Sequence, residues 1–422
     1  MEIYSLKNGV TSAFIKNERF KANMLTVRFL LPLSEKTVTE NAMAAQLICS
    51  STKAYPNNEE LSLKLMQLYG ANISSSTEKL SESQLITLRL TALKNGMGFN
   101  SENCFSEALN ILFDAVFNPN VIDEAFDEDE VHRVKNLWCD KIDAEINDKR
   151  KYAKNRLQQI MYKGMPFGAN RYGYKEAVQK ADGKSLYTAY KRLIEKAQIH
   201  IIFTGTEYPQ EFVSAFCNAL PHTERYLPHN ECIPVRQVTE VTERLNISQG
   251  KLVMGFRLGS FGDERKTYVN AVAVDIFGGG TYSKLFSEVR EKMGLCYYCS
   301  ATANRYMGAM FVESGVDEVN AERAKEAILT QLNDLQNGNF SDEVLLSSKR
   351  SFLNSLNAVG DSLVGIDGWY GARIVQENPL SPKELSELIC SVTREQVIDA
   401  AKQITPDTFF FLLGEKEGAQ ND

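Results

Sequence analysis

Histidine is scarce in this chain. Four histidines occur among 422 residues: His132, His200, His222 and His229. No two of them are three or four residues apart, which is the spacing that places two imidazoles on one helix face around a zinc ion. We therefore expect no metal site and no cofactor. We predict that His132 lies on a helix surface, His200 in a buried strand, and the other two in the stretch Pro221–Arg244, which lacks clear periodicity and contains the linker.

Several further absences exclude whole classes of protein. No apolar run approaches the length of about 18 residues that a membrane-spanning helix needs. The first nine residues lack the basic and apolar regions of a secretory signal, so we expect a cytoplasmic location. Lysine and arginine number 47 against 54 aspartates and glutamates, which gives a net charge of −7. A nucleic-acid-binding protein usually has a basic face instead.

Cysteine is also too sparse to form a disulfide scaffold, since eight cysteines occur in the whole chain. Cys296 and Cys299 have C-x-x-C spacing. They follow Gly294 into a predicted strand, where side-chain alternation would point the two thiols to opposite faces. No second C-x-x-C and no nearby histidine completes a zinc set. We therefore expect this pair to bind no metal and to have no redox role.

The chain contains an internal repeat. Asn41–Ile48 matches Asn270–Phe277 in register. Each follows an apolar, strand-like run and precedes a Gly/Ser/Thr-rich turn, an amphipathic helix that ends at a glycine, and alternating strands. Each half then has further helices and closes with a buried strand ending in glycine, Ile199–Gly205 and Thr408–Gly414.

This repeat predicts an α+β fold of two homologous domains, each an antiparallel sheet packed on one side by helices. A chain of this length also exceeds what a single hydrophobic core usually holds. We place the first domain at residues 1–224, a linker at residues 225–245, and the second domain at residues 246–422.

The stretch from Gly278 to Tyr297 combines a glycine turn, an amphipathic helix, a second glycine turn and an aromatic strand. It resembles the pattern GGG-x-x-S-x-L-F-x-x-x-R-E-x-x-G-L-x-Y. This pattern is found in the second half of the insulinase/pitrilysin/mitochondrial-processing-peptidase family, the inverzincins. The resemblance implies that the two domains pair as a clam-like peptidase half-chamber.

Active members of this family carry G-x-x-H-x-x-E-H-x-x-F-x-G-T in the first half, where the two histidines bind zinc and the glutamate activates water. With the last residue of that pattern aligned on Thr52, these three positions hold Ala42, Ala45 and Gln46. None of them is a useful zinc ligand or can take a proton from water. The third ligand, a glutamate on a long charged helix, corresponds to Lys141. The resemblance therefore implies a chain without catalytic residues and without peptidase activity of its own.

The resemblance also implies a set of substrate-binding residues. In active relatives, the equivalents of Arg290 and Tyr297 help to hold the substrate near the scissile bond, and Gly278, Gly279 and Gly280 begin the same pattern. Arginine offers a rigid fork of donors, and a tyrosine hydroxyl can bond a carbonyl or an oxyanion. The alternative is that Arg290 pairs with an acidic neighbour and Tyr297 packs in the sheet.

A second peptide-binding element is predicted around Ser74 and Ser75. The run from Tyr69 to Thr77 resembles the family segment G-G-x-x-N-A-x-T-S, an edge strand that can pair with an extended peptide. A polar edge also discourages aggregation, so both interpretations stay open.

Residues 144–157 resemble the DDK-x-x-YA-x-x-R-L pattern of bacterial YfmF-type proteins, with Asn147 in place of the first aspartate. These proteins are inactive homologues, generally encoded beside an active H-x-x-E-H paralogue. The resemblance implies a non-catalytic subunit that binds a peptide or protein substrate in a heterodimer with such a paralogue. The alternatives are a stand-alone homodimeric peptide-binding or scaffold protein and, if the motif alignment is wrong, an active metallopeptidase.

Overall fold

The structure is a computed structural model, and it describes residues 1–221, 225–226, 237–259, 264–375 and 380–415. His222 and His229, which the sequence places in a linker, lie outside the described residues. None of the described helices is long and apolar enough to cross a membrane.

The strands are numbered in chain order. They are β1 (Glu2–Lys7), β2 (Val10–Lys16), β3 (Ala22–Pro32), β4 (Asn72–Leu80), β5 (Ser83–Leu93), β6 (Val121–Ile122), β7 (Ala125–Phe126), β8 (Gln198–Gly205), β9 (Thr239–Leu245), β10 (Gly250–Arg257), β11 (Cys296–Asn304), β12 (Ala309–Val316) and β13 (Thr405–Gly414).

The α-helices are numbered in the same way. They are α1 (Val38–Ile48), α2 (Asn58–Gln67), α3 (Cys104–Phe117), α4 (Glu128–Glu145), α5 (Lys149–Met161), α6 (Lys175–Lys180), α7 (Gly183–Lys196), α8 (Gln210–Ala219), α9 (Glu264–Gly278), α10 (Ala321–Gln336), α11 (Asp342–Asn357), α12 (Leu363–Val375), α13 (Pro382–Cys390) and α14 (Arg394–Lys402). A π-helix spans Leu285–Lys292, and short 3₁₀ turns span Pro166–Gly168, Glu318–Asn320 and Ala358–Asp361.

Local sequence fixes many of these helix starts. Ser381 accepts a hydrogen bond from the backbone of Glu384, whose side chain bonds back to Ser381, and Pro382 is the first residue of α13. This capping box satisfies backbone donors that the first helical turn leaves without partners, and proline has no such donor at that position. Asp182 caps α7 and Thr393 caps α14 with the same reciprocal arrangement.

The described residues form two compact units. Unit 1 is drawn from residues 1–144, 169–230 and 359–379. Its six-stranded sheet has the order β1-β2-β8-β3-β5-β4. One face packs Leu25, Val27 and Phe29 against α1, α3 and α7 in the main core. The opposite face packs against α12, for example through Ile202 and Ile366.

Unit 2 is drawn from residues 145–168, 231–358 and 380–422. Its five-stranded sheet has the order β11-β12-β10-β13-β9. One face packs Val253, Phe410 and Leu412 against Leu157 and neighbouring residues of α5. Helices α9 and α10 also contact the sheet, at β11 and β10.

The two sheets share one strand order. Read from β4, the strand order in unit 1 is β4-β5-β3-β8-β2, and the strand order in unit 2 is β11-β12-β10-β13-β9. The strands at equal positions in these two orders correspond to each other. In both, the fourth and fifth strands pair in parallel, β8 with β2 and β13 with β9, while the other pairs are antiparallel. The repeat seen in the sequence is thus a repeat of topology, and unit 1 adds β1 at its end.

The predicted α+β class of two related sheets with helices is confirmed, with two corrections. The sheets are mixed instead of purely antiparallel, because β2 and β9 each pair in parallel with the closing strand of their unit. Neither sheet is covered by helices on one side alone, because α12 and α5 pack on the opposite faces. Unit 2 also contains residues 145–168, which the sequence analysis placed in the first domain, and β9, which it placed in the linker.

Candidate functional site

Helix α1 carries the positions where active relatives have a zinc motif. Its sequence is rich in alanine, a residue with high helix propensity. Ala42 and Ala45 are 1% and 0% exposed, within the main core of unit 1. Asn41, one residue earlier, donates from Nδ2 to Gln84 Oε1 at 2.9 Å. This part of α1 therefore serves as a packed core helix.

Gln46 links α1 to the edge of the sheet. Its Oε1 accepts a hydrogen bond from Ser75 Oγ at 3.3 Å, and its Nε2 lies 3.4 Å from Ser50 Oγ. Ser75 lies on β4, which is the last strand in the order of its sheet. Ser74 and Ser75 are both half-buried. The structure therefore brings Gln46 and the predicted peptide-binding strand together.

Lys141 lies on α4 and packs on its own helix. Its Nζ is 4.0 Å from the centroid of the Trp138 ring, a cation–π geometry. Burial lowers the pKa of Lys141 from its ordinary value. Trp138 in turn donates from Nε1 to the carbonyl oxygen of Tyr172 at 3.1 Å. Within the described residues, no three His, Cys, Asp or Glu side chains converge in a way that could hold a metal ion.

The three consecutive glycines close α9 against β11. A Cβ on Gly278 would lie 2.5 Å from the backbone nitrogen of Ala301 and 2.9 Å from Leu285 Cδ1. Such a side chain would displace the strand, so only glycine fits. Substituents on Gly279 and Gly280 would meet Asp275 and Tyr282. These glycines set the packing of the segment, and their predicted substrate contact stays a prediction.

The amphipathic segment after the glycines is a π-helix, where the sequence predicts an ordinary helix. It spans Leu285–Lys292, and Met293 N donates to Glu288 O, five residues back. Such wide turns are uncommon and often occur at functional sites. Gly294 then reverses the chain with a φ of +62°, a conformation that favours glycine.

Arg290 is half-buried and Tyr297 is exposed. The Arg290 guanidinium lies 4.7 Å from the Phe286 ring centroid, and its Nε is 3.6 Å from Glu291 Oε1. Tyr297 is 56% exposed, and its hydroxyl donates to Asp317 Oδ1 at 3.2 Å. Arg290 thus has the acidic neighbour that the structural alternative required. Tyr297 does not pack within the sheet.

The expectation that Cys296 and Cys299 point to opposite faces is wrong. The pairing of β11 with β12 shifts register between Cys296 and Tyr298, so Tyr297 is an extra, bulged residue. Because the bulged residue takes no place in the ladder, two residues that are three apart in the sequence lie on the same face of the strand. Both cysteines are free thiols.

Unit 1 contains a buried charged cluster that the sequence patterns did not predict. Asp367 on α12 is 1% exposed and accepts hydrogen bonds from Arg28 Nη2 at 2.9 Å and from Thr26 Oγ1 at 2.7 Å. Arg89 Nη2 lies 3.5 Å from the same carboxylate. A charged residue in a largely apolar run could have indicated it, since Arg28 is the one charged residue of β3.

His200 lies in β8 and is 2% exposed. Its Nδ1 is 2.7 Å from Thr11 Oγ1. Burial, together with the positive charge of Arg28, lowers the pKa of His200 to about 4. The buried imidazole is therefore neutral at pH 7.

The low pKa of His200 predicts that the folded protein loses stability in acid. Because the folded pKa lies below the unfolded value of 6.5, the unfolded chain binds the proton first as the pH falls. Between pH 7 and pH 4.5, His200 should cost the folded state about 2–3 kcal/mol. Urea unfolding of the wild type and of His200→Gln at both pH values measures this. An equal loss in both proteins would show that His200 does not titrate as described.

Comparison with known proteins supports the resemblance found in the sequence. The family model described as the peptidase M16 inactive domain matches residues 180–352. The probable inactive metalloprotease YmfF of Bacillus subtilis (strain 168) is 29% identical over 421 residues, which cover 99% of each chain.

Solved structures share the fold over nearly the full length. A conserved protein from Enterococcus faecalis V583 superposes with a TM-score of 0.89 at 26% identity, covering 99% of each chain. The peptidase M16 inactive domain from Pseudomonas fluorescens superposes with a TM-score of 0.78 at 17% identity, covering 98% of each chain.

Proposed function

We propose that this chain, a homologue of inactive M16 metalloproteases, is the non-catalytic subunit of a heterodimeric zinc peptidase. In this proposal the other subunit is a paralogue with an intact H-x-x-E-H motif. The present chain binds the peptide or protein substrate and helps to orient it, while the zinc of the partner cleaves it.

The observation that carries the non-catalytic role is the burial of Ala42 and Ala45. A catalytic zinc ion needs an open coordination position for water or substrate. Here the corresponding face of α1 is closed by core packing, with at most 1% of either side chain exposed. Lys141 adds an ammonium at the position aligned with the third ligand, and like charge repels a metal cation.

The edge strand β4 supports a role in substrate binding. Peptides can add to an exposed sheet edge through main-chain hydrogen bonds, which accept many sequences. The described residues pair β4 with β5 on one side only. The Gln46–Ser75 hydrogen bond ties this strand to the packed helix α1, which keeps the edge in position.

Arg290 and Tyr297 support the same role from unit 2. The 3.6 Å separation between Arg290 Nε and Glu291 is too long for a good hydrogen bond, so the guanidinium keeps donors for a ligand. The Tyr297 hydroxyl forms one exposed contact, which competes with water and is weak. Both groups can therefore exchange their present partners for a substrate carbonyl at small cost.

We expect Tyr297→Phe to impair the complex and to leave the fold intact. Loss of one exposed hydrogen bond should change the unfolding free energy by less than about 1 kcal/mol. Loss of a donor to the reacting carbonyl should lower kcat/KM of the reconstituted complex by about tenfold or more.

Tyr306→Phe is the matched control, because Tyr306 is outside the family pattern and its hydroxyl contacts the neighbouring Arg305. Steady-state kinetics and thermal unfolding of both variants distinguish a substrate-binding role of Tyr297 from a role in folding. If Tyr297→Phe unfolds the chain, or if both variants leave the kinetics unchanged, Tyr297 has no substrate role.

The assembly itself is tested by co-purification. The tagged chain, expressed in its native host, is isolated and its mass measured by analytical ultracentrifugation. A one-to-one complex with an H-x-x-E-H protein supports the proposal. A homodimer without such a protein supports a stand-alone peptide-binding scaffold. Zinc-dependent peptide cleavage by the isolated chain would show that it is an active peptidase.

A further inference from the structure

The second candidate site is the start of β11, where two cysteines share one face of an edge strand. Cys296 pairs with Val316, and Tyr298 pairs with the adjacent Gly315, which leaves Tyr297 bulged out of the ladder. Cys296 and Cys299 are then two ladder positions apart. Side chains two positions apart in a strand point to the same side.

The surroundings of the two thiols differ. Cys299 lies directly opposite Ser314 and is 6% exposed, whereas Cys296 is half-buried and reachable from solvent. The two thiols are close enough for each to shift the acidity of the other. The Cys296 thiol can thus react with a dissolved molecule, and the buried Cys299 thiol lies on the same face next to it.

The same contacts make Cys296 the more acidic thiol and Cys299 the less acidic one. The interaction with the Cys299 thiol lowers the pKa of Cys296 to about 7, and Ser314 and the positive charge of Arg290 act in the same direction. The same interaction, together with burial, raises the pKa of Cys299 well above its ordinary value. At neutral pH, a large fraction of Cys296 is therefore thiolate, while Cys299 keeps its proton. The thiolate is the nucleophilic form of cysteine.

We propose that Cys296 and Cys299 form a peroxide-sensitive pair, in which Cys296 is oxidised first and Cys299 resolves it as a disulfide. The Cys296 thiolate attacks one oxygen of a hydroperoxide and becomes a sulfenic acid, while the other oxygen leaves and takes up a proton as water or an alcohol. The Cys299 thiol then attacks the Cys296 sulfur, and water leaves as the S–S bond forms. The two cysteines together give up two electrons, and the peroxide accepts them.

Strand geometry makes this disulfide easy to reduce. Two ladder positions correspond to roughly 7 Å between Cα atoms. That is at the upper limit of what a disulfide spans, so the bulge must tighten when the bond forms. Strained disulfides have higher reduction potentials and are the reversible ones. Because Tyr297 is the bulged residue, oxidation should also disturb its hydroxyl contact with Asp317.

The test uses the reduced full-length chain and hydrogen peroxide. Trypsin should release Met293–Arg305, which contains both cysteines. After peroxide treatment, this peptide should lose two hydrogen atoms and resist alkylation by iodoacetamide, and dithiothreitol should restore both properties. Cys390 is exposed and serves as the internal reference for an isolated thiol.

Two variants separate the roles. In Cys299→Ser, and in Cys299→Ala if the serine variant folds poorly, Cys296 should remain a sulfenic acid that dimedone traps. In Cys296→Ser, Cys299 should stay reduced. The proposal is overturned if Met293–Arg305 stays reduced when Cys390 is fully oxidised, or if wild-type Cys296 accumulates as a dimedone-reactive acid without disulfide. Either negative result would leave the proposed function unaffected, because neither thiol has a part in it.

Discussion

Replacing Asp367 by alanine should destabilise unit 1 by about 3–5 kcal/mol. The carboxylate is 1% exposed and accepts hydrogen bonds from Arg28 and Thr26. Its removal leaves the Arg28 guanidinium, itself 5% exposed, as a buried charge without its counter-ion. Removing one partner of a buried pair costs far more than the pair contributes, because the remaining charge cannot regain its hydration.

Tryptophan fluorescence during urea unfolding measures this effect. The two tryptophans of the chain, Trp138 and Trp369, both belong to unit 1, so the signal reports that unit alone. Asp361→Ala is the matched control: Asp361 is an exposed aspartate 4.0 Å from Arg19. Exposed pairs at this distance contribute little, so we expect a change within about 0.5 kcal/mol. Equal effects of the two substitutions would show that the buried pair does not hold α12 on the sheet.

Restoring the zinc motif should damage the fold before it creates a metal site. The triple variant Ala42→His, Ala45→Glu, Gln46→His places large polar groups where two alanines are at most 1% exposed. Overpacking of a core costs about 1–3 kcal/mol per site, and a buried carboxylate without a partner adds more. We therefore expect a loss of about 4 kcal/mol or more in unit 1 and no peptidase activity.

Adding Lys141→Glu to that variant tests the position of the third ligand. The change removes an ammonium and supplies a carboxylate, and zinc binding to the folded state should then raise its stability. Second-shell groups that orient each histidine are still missing, so the affinity should stay modest. Urea unfolding with and without zinc compares the triple and quadruple variants, with Lys141→Glu alone as the control. An equal response to zinc in both would show that Lys141 is not at the third-ligand position.

The sequence predicted most of the repeated architecture. The matched runs at Asn41 and Asn270 lie in α1 and α9, and the two closing strands are β8 and β13. These elements have strong local signals, because a buried strand is continuously apolar and a surface helix has an apolar stripe. Helix α5 comes from the first half of the sequence but belongs to unit 2, and α12 comes from the second half but belongs to unit 1. Neither of these placements had such a signal. A helix pattern shows that one face is apolar but does not identify the sheet it will cover.

The remaining differences have a similar origin. Strand β9 alternates exposed and half-buried residues and has no apolar run, so its sequence pattern predicts a linker. The bulge at Tyr297 depends on pairing with β12, which a strand pattern cannot show in advance. The burial of Ala42 and Ala45 follows from tertiary packing, although their chemistry alone already excluded zinc ligation.

Reconstitution with the H-x-x-E-H paralogue from the same genome tests the central claim most directly. Peptide cleavage is measured for the chain alone, for the paralogue alone and for the equimolar mixture, with zinc content determined in each. We predict zinc in the paralogue and not in this chain, no cleavage by this chain alone, and a kcat/KM for the mixture well above that of the paralogue. Cleavage by the paralogue that is equally fast without this chain would contradict the proposed subunit role.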